Sequence, residues 1–179
     1  MRYSLALFTI VFTAIFTLGA TAAPLDMPKR KPGLWEIKMQ MPGLPQAMSS
    51  QHCIDEKTDN LMQQQGQEQA RQQCSKNSMS RQGDKIILDM VCKLDGTTST
   101  THAVFSGDFS RHYRGEINTS FNPPLHGTKT SQQVLEGKWL GACKAGQKPG
   151  DVIIPGMGTM NLNEMMKNIP NGDRPRTPR

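Results

Sequence analysis

The sequence predicts an all-β domain with minor α content, in which about seven antiparallel strands form a meander that makes a curved sheet or half-barrel. Three observations support this prediction. Short segments alternate apolar and polar side chains with the period of a half-buried strand. Gly-Asp and Asp-Gly pairs separate several of these segments, as expected for hairpin turns. Four cysteines occur in a chain that begins with an export signal, which favours two disulfides.

Residues 1–22 have the pattern of a secretory signal peptide. Arg2 supplies the positive charge, an apolar stretch follows, and Ala20-Thr21-Ala22 is a small-x-small cleavage site. The apolar stretch is too short and wrongly flanked for a stable membrane anchor. We therefore expect cleavage near Ala22 and a mature chain that has no transmembrane segment and is periplasmic or secreted.

The mature chain is mildly basic, because cleavage removes Arg2 and leaves 20 basic against 15 acidic residues. The basic residues are scattered and the chain has only two Trp and two Tyr, so nucleic-acid binding is not expected. Residues 23–31, rich in Pro and Lys, are predicted to form a flexible arm. Residues 32–144 should form the β domain, and residues 145–179 a tail rich in Met, Pro and Gly that is partly disordered.

The first strand is predicted around Trp35, because Trp35, Ile37 and Met39 fall on one face and polar side chains on the other. This alternation makes Trp35 a core residue rather than a ligand-stacking one. Pro42-Gly43 ends the strand, and residues 47–54 return antiparallel and bring Cys53 near the end of a second strand.

The segment 55–73 differs in character, with seven glutamines and only Leu61 and Met62 as large apolar side chains. Thr58 is the expected N-cap of a short surface helix that carries these two residues. Gly66 is expected to break the helix.

The hairpin after this segment relates two cysteines. A three-residue turn at Gln82-Gly83-Asp84 places Cys74 directly opposite Cys92, whereas a two-residue turn at Gly83-Asp84 places Lys93 opposite Cys74. The three-residue register is favoured, and it leaves a single apolar face for the core, formed by Ile86, Leu88, Met90 and Cys92. It pairs Cys74 with Cys92 in a disulfide and leaves Cys53 to pair with Cys143.

The next hairpin has a type I′ signal at Asp95-Gly96, which sets Phe105 and Ala103 beside Ile86 and Leu88. A turn near residues 107–108 leads to another alternating strand. Asn122-Pro123-Pro124 is expected to stop that strand, and residues 127–140 to form the last one. In the tail, one short amphipathic helical turn is predicted, capped by Asn161 or Asn163 and carrying Leu162, Met165, Met166 and Ile169.

Several of these features occur together in a known family. Pro32-Gly33-Leu34-Trp35-Glu36 lies just inside the mature N-terminus, a Cys-Ile-Asp follows the second strand, two cysteines are central, and Gly137-Lys138-Trp139-Leu140-Gly141-Ala142-Cys143 closes the domain. From about Lys31 to Cys143 the chain resembles the exported bacterial domain-of-unknown-function family 3617 (DUF3617). The resemblance implies a Gram-negative envelope protein with a compact disulfide-linked domain, and it supplies no catalytic residue.

No catalytic motif is present in the sequence, so an enzyme is not expected. The histidines are interpreted as surface residues: His52, His102, His112 and His126. Thioethers bind Cu(I), so His52 together with methionines of the tail is a candidate copper site, formed by Met157, Met160, Met165 and Met166. Packing is the favoured interpretation of these methionines, because Met fills irregular cores and contact surfaces.

These observations favour a non-enzymatic periplasmic domain without a cofactor, which binds a small apolar ligand or an envelope partner protein on the concave face of its sheet. The alternative is a copper-binding periplasmic protein that uses the tail methionines and His52.

Overall fold

A computed structural model of the chain describes residues 27–43 and 45–168, in which nine strands and two helices occur. In chain order they are β1 Gly33–Gln40, β2 Met48–Ile54, α1 Glu56–Gln73, β3 Cys74–Gln82, β4 Lys85–Leu94, β5 Thr97–Gly107, β6 His112–Leu125, β7 Thr128–Gly141, β8 Asp151–Ile154, β9 Gly158–Asn161 and α2 Leu162–Asn168. The predicted signal peptide, the start of the arm and the end of the tail with Ile169 lie outside the described residues.

The nine strands form one open antiparallel sheet in the order β3-β4-β5-β6-β7-β1-β2-β8-β9. Strands β3 to β7 form a meander of five strands. The predicted meander of about seven includes the first hairpin, but β1 and β2 instead join the sheet beside β7. The predicted fold class, all-β with minor α content in an antiparallel sheet that does not close, is confirmed. The sheet continues through β8 and β9, in residues predicted from the sequence to belong to the tail.

Helix α1 is longer than predicted and starts at a different cap. Asp55 is the N-cap: its carboxylate accepts from the Thr58 N–H at 2.8 Å, and the Thr58 hydroxyl accepts from the Asp55 N–H at 2.9 Å. Thr58 is therefore the third helical residue of a capping box and not the cap itself. The predicted break at Gly66 is wrong, because one glycine costs a helix only about 1 kcal/mol and good helix formers surround this one.

The register of the first meander hairpin also differs from the favoured prediction. Gln82 lies opposite Lys85, so the turn has two residues, Gly83 and Asp84, as in the alternative register. A bulge at Ser75 then shifts the pairing by one residue and brings Cys74 opposite Cys92, to which it is disulfide-bonded. Two-residue turns match the twist of the flanking strands, and the bulge accommodates the extra residue.

The turn at Asp95-Gly96 is confirmed, with positive φ of 48° and 78° at its two residues. It aligns Ile86 with Phe105 and Leu88 with Ala103, as predicted. The predicted stop at Asn122-Pro123-Pro124 is wrong, since β6 continues to Leu125. The prolines lie in the interval between Ser120 and Leu125 where the β6–β7 pairing shifts, so their missing N–H groups interrupt no regular ladder there.

The core lies on the face of the sheet that α1 covers. Its buried cluster consists of Trp35, Ile54, Ile86, Phe109 and Tyr113. Trp35 has no exposed surface, which confirms its prediction as a core residue, and its ring centre lies 5.6 Å from that of Tyr113. The second disulfide joins Cys53, near the end of β2, to Cys143 beyond β7, so the structure contains the two cysteine pairs favoured from the sequence.

Candidate functional site

An apolar groove of about 300 Å³ lies between α1 and the strands β3 and β4. We call it the apolar groove. The lining combines thioethers, one leucine, small helix residues and three side-chain amides: Met27, Met62, Gln63, Gly66, Gln67, Ala70, Asn77, Met79, Leu88 and Met90.

The groove follows from the periodicities of the two elements that form it. On the sheet side Met79 lies opposite Leu88, and the next residue pair on that face is Asn77 with Met90. On the helix side the lining residues recur at three- and four-residue spacing. A Cβ built at Gly66 would meet nothing within 4 Å, so this glycine leaves the space open instead of packing against the strands.

The described part of the arm, residues 27–31, is bound to α1, in contrast to the flexibility expected from its composition. The Lys29 ammonium lies 2.7 Å from a Glu56 carboxylate oxygen at the surface. The Arg30 guanidinium and the Arg30 backbone N–H both donate to the Asp59 carboxylate, at 2.8 and 3.0 Å. These bonds place Met27 at the groove.

The Arg30–Asp59 ion pair is buried, with side-chain exposures of 14% and 2%. Asp59 lies in the first turn of α1, where a negative charge is favoured by the helix dipole, and Arg30 compensates its burial. Burial raises the pKa of the neighbouring Tyr113, although Arg30 opposes this shift through its charge and a side-chain hydrogen bond. No local pattern predicts this pair, since Asp59 lies in a polar helix and Arg30 in a basic arm.

His52 is not the surface residue expected from the sequence. It lies on β2 between Trp35 of β1 and Val152 of β8. Its Nε2 is 2.9 Å from the Ser50 hydroxyl, and its buried Nδ1 has no hydrogen-bond partner within the described structure. Burial, with a smaller contribution from the Arg30 charge, lowers the pKa of His52 to about 4. His102, His112 and His126 are exposed, as expected.

The candidate copper ligands are spread over different elements. Met157 lies in the turn after β8 and is 75% exposed, Met160 lies on β9, and Met165 and Met166 lie on α2. Val152 separates His52 from Met160 in the sheet, which puts the two backbones about 10 Å apart at the usual strand spacing. Met166 instead contacts the Gln65 amide. Within residues 27–43 and 45–168, no three His, Cys, Asp or Glu side chains form a group that could hold a metal ion.

Neither helix of the described part of the chain has the length and apolar character needed to cross a membrane.

The open sheet, the covering helix and the two disulfides define a small disulfide-linked β domain with an apolar groove beneath its helix. A family model described as a protein of unknown function (DUF3617) matches residues 30–143, and the chain belongs to this family. The match begins at Arg30 of the buried ion pair and ends at Cys143, while β8, β9 and α2 lie beyond it. No curated protein and no solved structure matches the chain.

Proposed function

We propose that the protein is an exported, non-enzymatic binding domain that holds a small apolar molecule in the apolar groove. The observation that carries this proposal is the lining itself, in which four methionines and Leu88 surround about 300 Å³ of space. This volume is at the lower end of the range of about 300 to 1,000 Å³ that small-molecule sites occupy. An alkyl or acyl chain of moderate length is the ligand class that fits it best.

The chemistry of the lining supports an apolar ligand and a role without catalysis. None of the lining residues carries a charge, and none offers a carboxylate, imidazole, thiol or hydroxyl for acid, base or nucleophilic chemistry. Methionine side chains adapt to irregular ligands because they are unbranched and polarisable. The amides of Gln63 and Asn77 can hydrogen-bond a polar end group of the ligand.

The proposed location outside the cytoplasm rests on the cysteines and on the N-terminal sequence. All four cysteines are in disulfides, which persist in oxidising compartments such as the periplasm. The predicted signal peptide would deliver the chain there.

The proposal is tested with a homologous series of alkyl carboxylates that compete with a solvatochromic apolar dye. Each methylene buried in the groove contributes about 0.8 kcal/mol, so the affinity should rise about fourfold per added carbon until the groove is full. An affinity that does not change with chain length would contradict apolar binding.

Two leucine substitutions on α1 localise the binding. Gly66→Leu places a side chain in the open space of the groove and should abolish dye binding while the helix is retained. Gln69→Leu adds a similar side chain at an exposed position of the same helix and should leave binding unchanged. Equal binding by the two variants would show that the ligand lies elsewhere.

A further inference from the structure

A second cavity of about 720 Å³ lies where β6 and β7 meet the arm, and it shares no lining residue with the apolar groove. We call it the cationic cleft. Its lining contains four cationic side chains and one carboxylate, a net of three positive charges with His112 counted as neutral: Lys31, Arg111, Arg114 and Lys138 against Glu136. Trp139, Tyr113, Ser106 and Gly137 complete it.

In the described part of the chain, three of the four cations lack a carboxylate partner. Arg114 is paired with Glu136 at 2.7 Å and with Glu116 at 3.3 Å. Among the described residues, no carboxylate lies within salt-bridge distance of Lys31, Arg111 or Lys138. Glu36 lies opposite Lys138 in the sheet, but it pairs with Lys38 instead, at 3.3 Å. Within the described residues, the cleft therefore keeps a positive charge that no carboxylate compensates.

The position of Lys31 is fixed by two indole rings. The Trp35 indole N–H donates to the Lys31 carbonyl at 2.7 Å, and the Trp139 indole N–H donates to the Pro32 carbonyl at 3.1 Å. The Lys31 ammonium then lies 3.7 Å from the centre of the Trp139 ring, in a cation–π contact. Because these bonds hold the backbone at Lys31 and at the next residue, Lys31 loses less entropy when it binds a ligand.

Arg111 is held on an equally ordered loop. The Asp108 carboxylate accepts from the backbone N–H groups of Ser110, Arg111 and His112, at 2.9, 2.8 and 3.2 Å. The Arg111 carbonyl accepts from the backbone N–H of Trp139 at 2.7 Å, which connects the loop to β7. The Asp108 carboxylate thus binds backbone N–H groups and not the Arg111 guanidinium, which remains available to bind an anion.

We infer that the cationic cleft binds a phosphate group as its dianion. Three uncompensated cations suit two negative charges better than the single charge of a carboxylate, and both guanidinium and ammonium groups bind phosphate oxygens well. A concave surface of one charge sign also concentrates anions near it. The phosphate comes either free in solution or on a lipid headgroup, and both sources offer the same oxygen atoms to these side chains.

The first experiment is a titration of the whole mature protein with inorganic phosphate, followed by indole fluorescence. Trp139 lines the cleft and Trp35 is fully buried, so a bound anion should change the Trp139 emission. The double variant Arg111→Gln/Lys138→Gln should weaken phosphate binding by about tenfold or more. Lys93→Gln/Lys129→Gln removes the same charge at exposed sites outside the cleft and should stay within about twofold of the unmodified protein.

The second experiment uses flotation with phosphatidylcholine vesicles that contain or lack phosphatidic acid. If free phosphate binds and the binding depends on Arg111 and Lys138, the inference is supported and the ligand is a free phosphate. If the protein binds only vesicles with phosphatidic acid, again through these two residues, the inference is supported and the phosphate is carried by a lipid. No binding to either probe, or equal losses in the two double variants, would overturn it. All four substituted side chains are exposed, so the variants should keep their fold, which circular dichroism checks.

Discussion

Mild acid should destabilise this protein through His52. The imidazole lies between Trp35 and Val152, and its Nδ1 is buried without a hydrogen-bond partner in the described structure. Burial first, and the charge of Arg30 second, lower the pKa of His52 from 6.5 to about 4. In the unfolded chain this group is solvated and returns to its ordinary pKa.

The sign and size of the effect follow from this difference in pKa. Between pH 6.5 and about 4 the unfolded chain binds a proton at His52 that the folded protein does not bind. The free energy of unfolding should therefore have its full value above the pKa of the unfolded chain. It should decrease as the pH falls from there toward the pKa of the folded protein. The full difference corresponds to about 3 kcal/mol, a large fraction of the 5 to 15 kcal/mol that stabilises a typical small domain.

Two carboxyl groups with lowered pKa values, Asp55 and Asp108, contribute little above about pH 4. Backbone and side-chain hydrogen bonds from Thr58 lower the pKa of Asp55, and backbone hydrogen bonds, with that from Arg111 the largest, lower the pKa of Asp108. A lowered carboxyl pKa stabilises the fold above the unfolded value of 3.8, and this stability is lost only as the pH falls through the folded value. The effect of His52 is thus separated from theirs on the pH axis.

The assay is urea unfolding followed by tryptophan fluorescence at a series of pH values from about 7 to 4. The unmodified protein should lose about 3 kcal/mol over this range, and His52→Gln should lose much less because its amide does not titrate. His112→Gln is the matched control, since His112 is exposed, and it should keep the unmodified pH dependence. Parallel profiles for the unmodified protein and His52→Gln would refute the reasoning, as would an NMR titration of His52 with a midpoint near its ordinary pKa.

Three further predictions concern stability and binding. Arg30→Met leaves the Asp59 carboxylate buried without its partner and should lower the free energy of unfolding in urea by about 3 to 5 kcal/mol. Because the substitution releases the arm, it should also weaken both dye and phosphate binding. Full stability in this variant would contradict a buried ion pair. Non-reducing peptide mapping should find Cys74 bonded to Cys92 and Cys53 bonded to Cys143, and any other pairing would contradict the topology. Replacing the first pair by serine should lower the free energy of unfolding by roughly 3 kcal/mol, and replacing the second pair by roughly 4 to 5 kcal/mol. Gly66→Ala should raise the free energy of unfolding by about 1 kcal/mol, since its methyl group meets no other atom and alanine favours the helix, whereas a loss of stability would show that the groove is filled by packing.

The parts of the fold that local chemistry controls could be predicted from the sequence. Alternation places Trp35 in the core, and Asp95-Gly96 sets the β4–β5 register, because both depend on residues close together in the chain. The strands β8 and β9 could not be predicted, since each has four residues and β8 pairs with the distant β2. The predicted position of Cys74 opposite Cys92 is right although the predicted three-residue turn is wrong. The turn has two residues, and the bulge compensates for the difference.

The candidate sites were less predictable than the strands, because each is assembled from segments that are far apart in the sequence. The groove combines the arm, α1 and a hairpin, and the sequence suggested only that some apolar surface would lie on the concave face. The sequence predicts a surface position for His52, because no histidine falls in a recognisable catalytic pattern. Its burial arises from Trp35 and Val152, which are neighbours only through strand pairing.

The arm connects the two proposed sites physically. Met27 lines the apolar groove and Lys31 lines the cationic cleft, and four residues of extended chain span at most about 14 Å. Arg30 lies between them and is fixed to Asp59 by both its backbone and its side chain. Because one ion pair positions the residues on either side of it, the lining of both sites depends on the contact between the arm and α1. A buried charge pair is a costly way to hold a short segment when apolar packing would suffice. Its presence here is understandable if the arm has to keep Lys31 in the cleft and Met27 at the groove at the same time.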